Sequence, residues 1–391
     1  MSRTYIVHYG ELGLKGRNRI TFERQLVNNI SRAFGDLEDV TVSRFHSYLM
    51  VTCPAALRAS EVEARLSRLP GIAYFAPVTV TAPKVELIRA AAVAMAEDII
   101  SPATRFRIRT TRGDKRFPLT SPEVDREVGA QVQRVTGAPV DLSEPDVTLA
   151  IQIYEEAAYL FARRIPGIGG LPLGSSGRVL VLFSGGIDSP VAAHLIMKRG
   201  CTVDFVHFHL LRGRERIRGA KIVSMARQVL APHRASGRLY MVSAAPFEAA
   251  MAPLDSRVAT VVFRRFIVRA AAHLAAQRKT PALVTGESVG QVASQTLRNI
   301  NVIARATKLP ILRPLVGMDK QEIISLAKEV GTYELSIQPY QDPCSLHARR
   351  PATHARLRAV RDVEAQIAAD AVLQETLAHH VEEIRISFEG R

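Results

Sequence analysis

The sequence predicts a multidomain chain, two small α+β units followed by an α/β unit with a parallel sheet. Three observations lead there. The first 165 residues mix β-branched strands and amphipathic helices in short blocks. A Gly/Pro-rich stretch at 166–177 (PGIGGLPLGSSG) then interrupts the pattern. Beyond it, apolar runs of strand length alternate with helical segments, as βα units do.

At 391 residues the chain has room for two or three domains at roughly 150 residues each. Hydrophobic residues make up 47%, enough for packed cores, so a disordered composition is excluded. The net charge of +15 favours a polyanionic partner such as nucleic acid. The three cysteines, Cys53, Cys201 and Cys344, are far apart, which argues against a disulfide framework or a zinc site. No apolar stretch is long enough to span a membrane, and no secretory leader precedes the first strand, so the expected location is cytoplasmic.

Thr4 to Tyr9 reads as a strand, Arg19 to Phe34 as a helix, and Val40 to Val51 as β-rich; this first unit is expected to end at residue 58. The second, 59–165, opens on a helix begun near Ser60 and closed by Pro70-Gly71. Lys84 to Ile100 is a helix, Phe106 to Thr110 a strand, and Ser121-Pro122-Glu123 a helix start with Ser as cap. Val147 to Ile153 and Ala157 to Arg163 form a closing strand pair. The segment 166–177 is a linker or a substrate-contacting loop. The third unit, 178–391, opens on the apolar strand Val179 to Phe183. A helix from Pro190 follows, with Ser189 as expected cap, then further strands at 203–208, 239–242 and 282–285. Asp319 and Glu322 have capping-box spacing, and a helical tail is expected from Thr353 to Ile386.

Directly after the strand at 179–183 stands Ser184-Gly185-Gly186-Ile187-Asp188-Ser189-Pro190. Ligands of open α/β sheets bind at the carboxyl ends of strands. Glycines there let the backbone approach an anion, and free N–H groups at a helix start point at a phosphate. Ser184 and Ser189 add hydroxyls. Asp188 cannot take a phosphate, but it can hold Mg2+ or position a substrate group. The loop is neither GxxxxGK[ST] nor GxGxxG. A tight turn with a capped helix is the plainer alternative.

The string SGGIDSPVA resembles the PP-loop of the ATP pyrophosphatases, which cleave ATP to AMP and pyrophosphate while adenylating a substrate. YGELGLKGRNR, DKRFPLTSPEVDREVG, PGIGGLPLGSSG, LVTGESVGQVASQTLRN and ILRPLVGMDKQEII extend the likeness over nearly the whole chain. Together they resemble the tRNA 4-thiouridine synthases, the tRNA sulfurtransferases. That resemblance implies an N-terminal ferredoxin-like domain, a THUMP RNA-binding domain and a PP-loop domain. It implies ATP and Mg2+ as cofactors. Leu182, Phe183, His207, Phe208, Arg264, Gly286 and Gln295 match the family's ATP-binding positions, beside Ser184, Gly185, Gly186 and Ser189. Without the resemblance, Phe208 is equally a core ring, His207 a structural histidine and Arg264 a surface charge.

Arg105, Arg107 and Arg109 alternate with Phe106 and Ile108, so a strand places the guanidiniums on one face. Arg112, Lys115 and Arg116 follow. Such a face can track phosphates, or simply be solvated. The resemblance implies that it grips tRNA, helped by Lys15, Arg17 and Arg19. Cys344 matches the family's sulfur-handling cysteine, in a loop with His347, Arg349 and Arg350 that could activate its thiol; an inert cysteine is the alternative. Longer relatives carry a rhodanese-like domain with a second cysteine. None follows Cys344 here, so a short form is expected, with the sulfur source open.

The expected activity is ATP-dependent thiolation of the tRNA uridine at position eight, with a cysteine desulfurase as persulfide donor. Sulfur delivery to the thiamine-pathway carrier protein is a further implied role, and a homodimer is left open. Another PP-loop tRNA-modifying enzyme and a non-catalytic tRNA-binding protein remain the alternatives.

Overall fold

The computed structural model describes residues 2–254, 256–340, 343 and 351–388. It divides into two compact units, 1–170 and 171–391.

The first unit holds two sheets. β1 (Ser2–Tyr9), α1 (Arg19–Ala33), β2 (Thr41–Arg44), β3 (Leu49–Pro54), α2 (Ala59–Ser67) and β4 (Ile72–Pro77) come first. β5 (Thr79–Thr81), α3 (Val85–Ile99), β6 (Phe106–Arg112), α4 (Ser121–Thr136), β7 (Val147–Ile153), β8 (Ala158–Phe161) and β9 (Ile165–Pro166) complete it. The first sheet has the order β2-β3-β1-β4-β9 and is antiparallel throughout. β4 pairs directly with β1, so this sheet continues past residue 58, where the sequence pattern suggested that the first domain stops. The helix at 59–67 was legible, but strand pairing across it was not.

The second sheet runs β5-β8-β7-β6, with β6 and β7 parallel. Ile88, Val124 and Val128 from α3 and α4 pack on Phe106, Ile108 and Ile151 of its inner face. Residues one apart on a strand point to opposite faces, so burying Phe106 and Ile108 turns Arg107 and Arg109 outward. α4 is capped by Thr120, not Ser121: Thr120 and Glu123 form a capping box, with Pro122 inside the first turn.

The second unit is a six-stranded sheet of order β14-β13-β10-β11-β12-β15. Its elements are β10 (Arg178–Leu182), α5 (Asp188–Lys198), β11 (Thr202–His209), α6 (Arg214–Arg218), α7 (Lys221–Leu230) and β12 (Gly237–Ser243). α8 (Ala245–Met251), α9 (Ala259–Gln277), β13 (Leu283–Val284), α10 (Leu297–Ala304), β14 (Ile311–Leu312) and α11 (Lys320–Val330) follow. α12 (Tyr333–Ser336), α13 (Leu357–Gln366), α14 (Ala369–His379) and β15 (Val381–Ile386) complete it. β10 to β14 are mutually parallel, and β15 joins β12 antiparallel. The expected helical tail therefore ends as a strand. From Glu383 to Ile386 charged and apolar residues alternate, and so does their exposure, the period of a half-buried edge.

Separate cores cover the two faces. Val181, Phe183 and Phe205 pack with Val191 and Met225 from α5 and α7. Leu180, Val206 and Phe208 pack with Phe263 and Phe266 from α9. With both faces covered, the parallel strands carry near-continuous apolar side chains, which is why they were readable from the sequence.

Candidate nucleotide site and basic face

The crossover between parallel strands makes β10 end where α5 begins, leaving 183–187 as the connecting loop. Phe183 N–H donates to the Val206 carbonyl at 2.8 Å, holding the loop entrance to β11. Ser184 N–H then donates to Ser189 Oγ at 2.9 Å, and Gly186 N–H to Ser184 Oγ at 3.4 Å. Ser189 is not the helix cap that the sequence suggested. α5 already starts at Asp188, and the Ser189 hydroxyl ties the first turn of the helix back to Ser184 of the loop. Gly286 lies against this loop: a Cβ there would fall 2.9 Å from the Asp188 carbonyl carbon and from Ser189 N. Both are backbone atoms, so only glycine fits.

Asp188 has two fixed partners. Lys320 Nζ donates to Oδ1 at 2.6 Å, and Gln291 Nε2 to Oδ2 at 2.8 Å. Lys320 is the first residue of α11, which Asp319 caps by accepting from Gln321 and Glu322 N–H groups. The capping box thus sets where Lys320 stands. Beside Asp188 lies a second cluster. Glu287, only 2% exposed, accepts from Arg264 Nη2 at 2.8 Å, Arg313 Nε at 2.7 Å and Thr285 Oγ1 at 3.0 Å. Burial pushes its carboxyl pKa up, but Arg264 and Arg313 outweigh that and hold it below the usual carboxylate range.

A cavity of about 80 Å3 opens here. Leu182, Ser184, Asp188, Ser189, Arg264, Gly286 and Gln295 line it together with Glu287 and Arg313. These seven sequence candidates are therefore brought to one place. Phe183, Gly185, Gly186, His207 and Phe208 do not line it. The Phe183 ring packs on Phe205, and the Phe208 ring lies edge-on to Phe263 and Phe266, so both side chains are core. His207 is buried, with Nδ1 2.7 Å from the Phe183 carbonyl and Nε2 2.7 Å from the Tyr340 hydroxyl. The Tyr340 ring covers Gly185: a Cβ on Gly185 would come within 2.6 Å of it. Sequence reasoning missed Glu287, Gln291, Arg313, Lys320 and Tyr340 as individual site residues. All but Tyr340 lie in strings already singled out, and the capping box at 319–322 was the one local signal near Lys320.

In the first unit, Arg107 and Arg109 share an open groove with Thr148, Phe161 and Arg164. Arg164, which the strand pattern did not include, stacks its guanidinium over Tyr74 and Phe161 at 5.0 and 5.5 Å. Arg105 is neutralised by Asp146 at 2.7 Å, with Asp141 and Glu144 nearby. Arg112 falls on the opposite strand parity from Arg107 and Arg109, and its Nη1 donates to the carbonyls of Phe117 and Leu119. It fastens the loop that follows rather than standing out from it. Arg116 pairs with Asp114 and Glu155, and Lys115 is exposed. Lys15 lies 5.3 Å over the Phe22 ring. Arg19 is bound to Glu23 and Tyr9. The side chain of Arg17 lies outside the described residues, as does Cys344. Cys53 and Cys201 are buried, and burial raises both thiol pKa values, which disfavours the thiolate.

A parallel sheet with a glycine-containing loop at the end of β10, a paired aspartate and a guanidinium-lined cavity defines an α/β protein of the nucleotide-binding class. The comparisons carry this to a family. The model described as "Thiamine biosynthesis protein (ThiI)" matches residues 174–369, the "ThiI ferredoxin-like domain" matches 4–76, and the THUMP domain matches 84–163. The chain belongs to the ThiI family, with its ferredoxin-like, THUMP and PP-loop parts. A probable tRNA sulfurtransferase of Moorella thermoacetica is 41% identical over 383 residues, covering 96% of each chain. One from Caldanaerobacter subterraneus subsp. tengcongensis is 40% identical over 372 residues, covering 93% of this chain and 95% of its own. A crystal structure of a 4-thiouridine synthetase–RNA complex with bound ATP matches at TM-score 0.86 and 30% identity, over 99% of this chain and all of that one. Among the described residues no helix is long and apolar enough to cross a membrane.

Proposed function

We propose that this chain is an ATP-dependent tRNA sulfurtransferase that makes 4-thiouridine. The observation that carries the reading is the cavity at the end of β10, where the loop backbone, Asp188 and two guanidiniums meet. ATP lies with its phosphates against the 184–189 loop, whose N–H groups and hydroxyls suit an anion. The uridine C4 oxygen attacks the α-phosphorus, a bond forms to AMP, and pyrophosphate leaves. Arg264 stabilises the charge gathering on the leaving group. The terminal sulfur of a persulfide then attacks C4 and displaces AMP, and a thiol reductant cleaves the resulting C4–S–S–cysteine disulfide to release 4-thiouridine. Asp188 positions the uridine, with Lys320 and Gln291 holding its carboxylate in place. Cys344 handles sulfur, supplied by a cysteine desulfurase. The groove of Arg107, Arg109 and Arg164 contacts tRNA phosphates, and position eight is the target uridine. Sulfur delivery to the thiamine-pathway carrier protein is a second proposed outlet.

Among the described residues no cluster of three or more His, Cys, Asp or Glu could hold a metal by itself. Asp188 is the one carboxylate on the loop, and Glu287 is committed to two arginines. The residues therefore suit a Mg2+ that arrives on the triphosphate and compensates its charge, with Asp188, among the described residues, the carboxylate on the loop that could meet it.

The test is incubation with unmodified tRNA, ATP, Mg2+, cysteine and a desulfurase, followed by a mercury-containing gel. A retarded, thiolated tRNA band is expected. No band with an active desulfurase would sink the proposal.

A further inference from the structure

Arg313 follows β14 and lines the cavity alongside Ser184, Asp188 and Arg264. Its Nε donates to Glu287 Oε2 at 2.7 Å and its Nη1 to the Ile311 carbonyl at 3.3 Å. Its Nη2 is shielded from solvent and meets no acceptor among the described residues. A guanidinium N–H withdrawn from water without an acceptor bears its whole desolvation penalty. An incoming oxygen acceptor removes that penalty, so Arg313 is prepared for one.

The charges say which kind. Arg264 and Arg313 share the single carboxylate of Glu287, while Lys320 is matched by Asp188. Among the described residues, two guanidiniums thus meet at one carboxylate beside the loop. A guanidinium N–H bonds a charged oxygen more strongly than a neutral one, which favours a phosphate oxygen. Each oxygen of Glu287 fixes a different guanidinium, so the two arginines are pre-oriented before any ligand arrives.

We propose that Arg313 is a nucleotide-binding residue whose Nη2 donates to a phosphate oxygen of ATP at the 184–189 loop, with Glu287 as the positioning residue. This rests on the nucleotide reading above. The competing role is a buttress, in which Arg313 only holds Glu287 and touches no ligand.

Binding of ATP, inorganic pyrophosphate and adenosine to the full chain separates the two by calorimetry. Arg313→Gln should weaken ATP and pyrophosphate roughly 10- to 100-fold and leave adenosine unchanged. Arg313→Lys keeps a cation beside Glu287 but lacks the second terminal nitrogen. It should show the same selective loss with an unchanged urea midpoint, which covers the case where the Gln variant folds poorly. Equal weakening of all three ligands would overturn the proposal in favour of the buttress, and so would no weakening in either variant. Wild-type protein that binds no ATP would overturn the nucleotide reading as well, before any variant is made.

Discussion

The Tyr340 hydroxyl lies 2.7 Å from His207 Nε2, while His207 Nδ1 lies 2.7 Å from the Phe183 carbonyl. A carbonyl only accepts, so Nδ1 carries the proton, and in the neutral ring Nε2 accepts from tyrosine. The imidazole thereby joins the entrance of the nucleotide loop to the chain that leads toward Cys344. Tyr340→Phe removes one hydrogen bond and should lower stability by about 1 kcal/mol in urea unfolding. Gly185→Ala should cost more, because its Cβ would press on the Tyr340 ring. Tyr340→Ala makes room, so the double variant should recover part of the Gly185→Ala loss. Simple additivity of the two would show that the ring contact is not what constrains Gly185.

Asp188 and Lys320 should behave as a pair. Asp188→Ala and Lys320→Ala each should reduce tRNA-dependent AMP formation by about 100-fold or more, a range consistent with losing a positioned polar group. The double variant should be scarcely worse than either single one. Independent, multiplying losses in steady-state assays would show that the 2.6 Å contact is incidental to function.

The basic face predicts a hierarchy. Arg107→Ala and Arg109→Ala should weaken tRNA binding and flatten its salt dependence, each by about one counterion. Arg105→Ala should matter less, because Asp146 already neutralises it. Arg112→Ala should lower the melting temperature rather than the affinity, since its partners are carbonyls of its own chain. Filter binding over a salt series, with thermal melts in parallel, reads all four.

His8 supplies a pH prediction. Burial, first of all, lowers its pKa from 6.5 to about 4; the Gln152 hydrogen bond opposes this and Arg164 adds to it. The folded form therefore resists a proton that the unfolded chain takes readily. Between pH 6.5 and 4 the unfolded state holds more protons, so stability falls as pH falls. His8→Gln removes the titration and should flatten that slope in urea titrations across this window. An unchanged slope would assign the acid sensitivity elsewhere.

Much of this architecture could be read from residue order alone. Apolar runs at 179–183 and 203–208 are unambiguous because both faces of a parallel sheet are covered. Asp319 and Glu322 announce their helix through capping chemistry. The edge strand at 381–386 continues a helical pattern in the sequence, since two adjacent glutamates and one arginine fit either period over so short a stretch. The loop itself was legible as a string, and with it Asp188. Glu287, Arg313 and Lys320 were not, because their roles depend on long-range contacts: each meets a partner 23 to 132 residues away. The same limit hid the difference between Arg107 and Arg105. Both are arginines of the same strand parity, and the acidic residues of 141–146 tell them apart.

β15 closes one side of the parallel sheet by pairing with β12 over six residues. During synthesis β12 leaves the ribosome long before β15 exists, and until then its backbone donors and acceptors face outward, open to any extended segment. The nascent nucleotide domain thus carries an adhesive border that only its own late residues can seal. Removing residues 381–388 should leave the loop intact and yet make the chain self-associate, a liability of quality control rather than of chemistry.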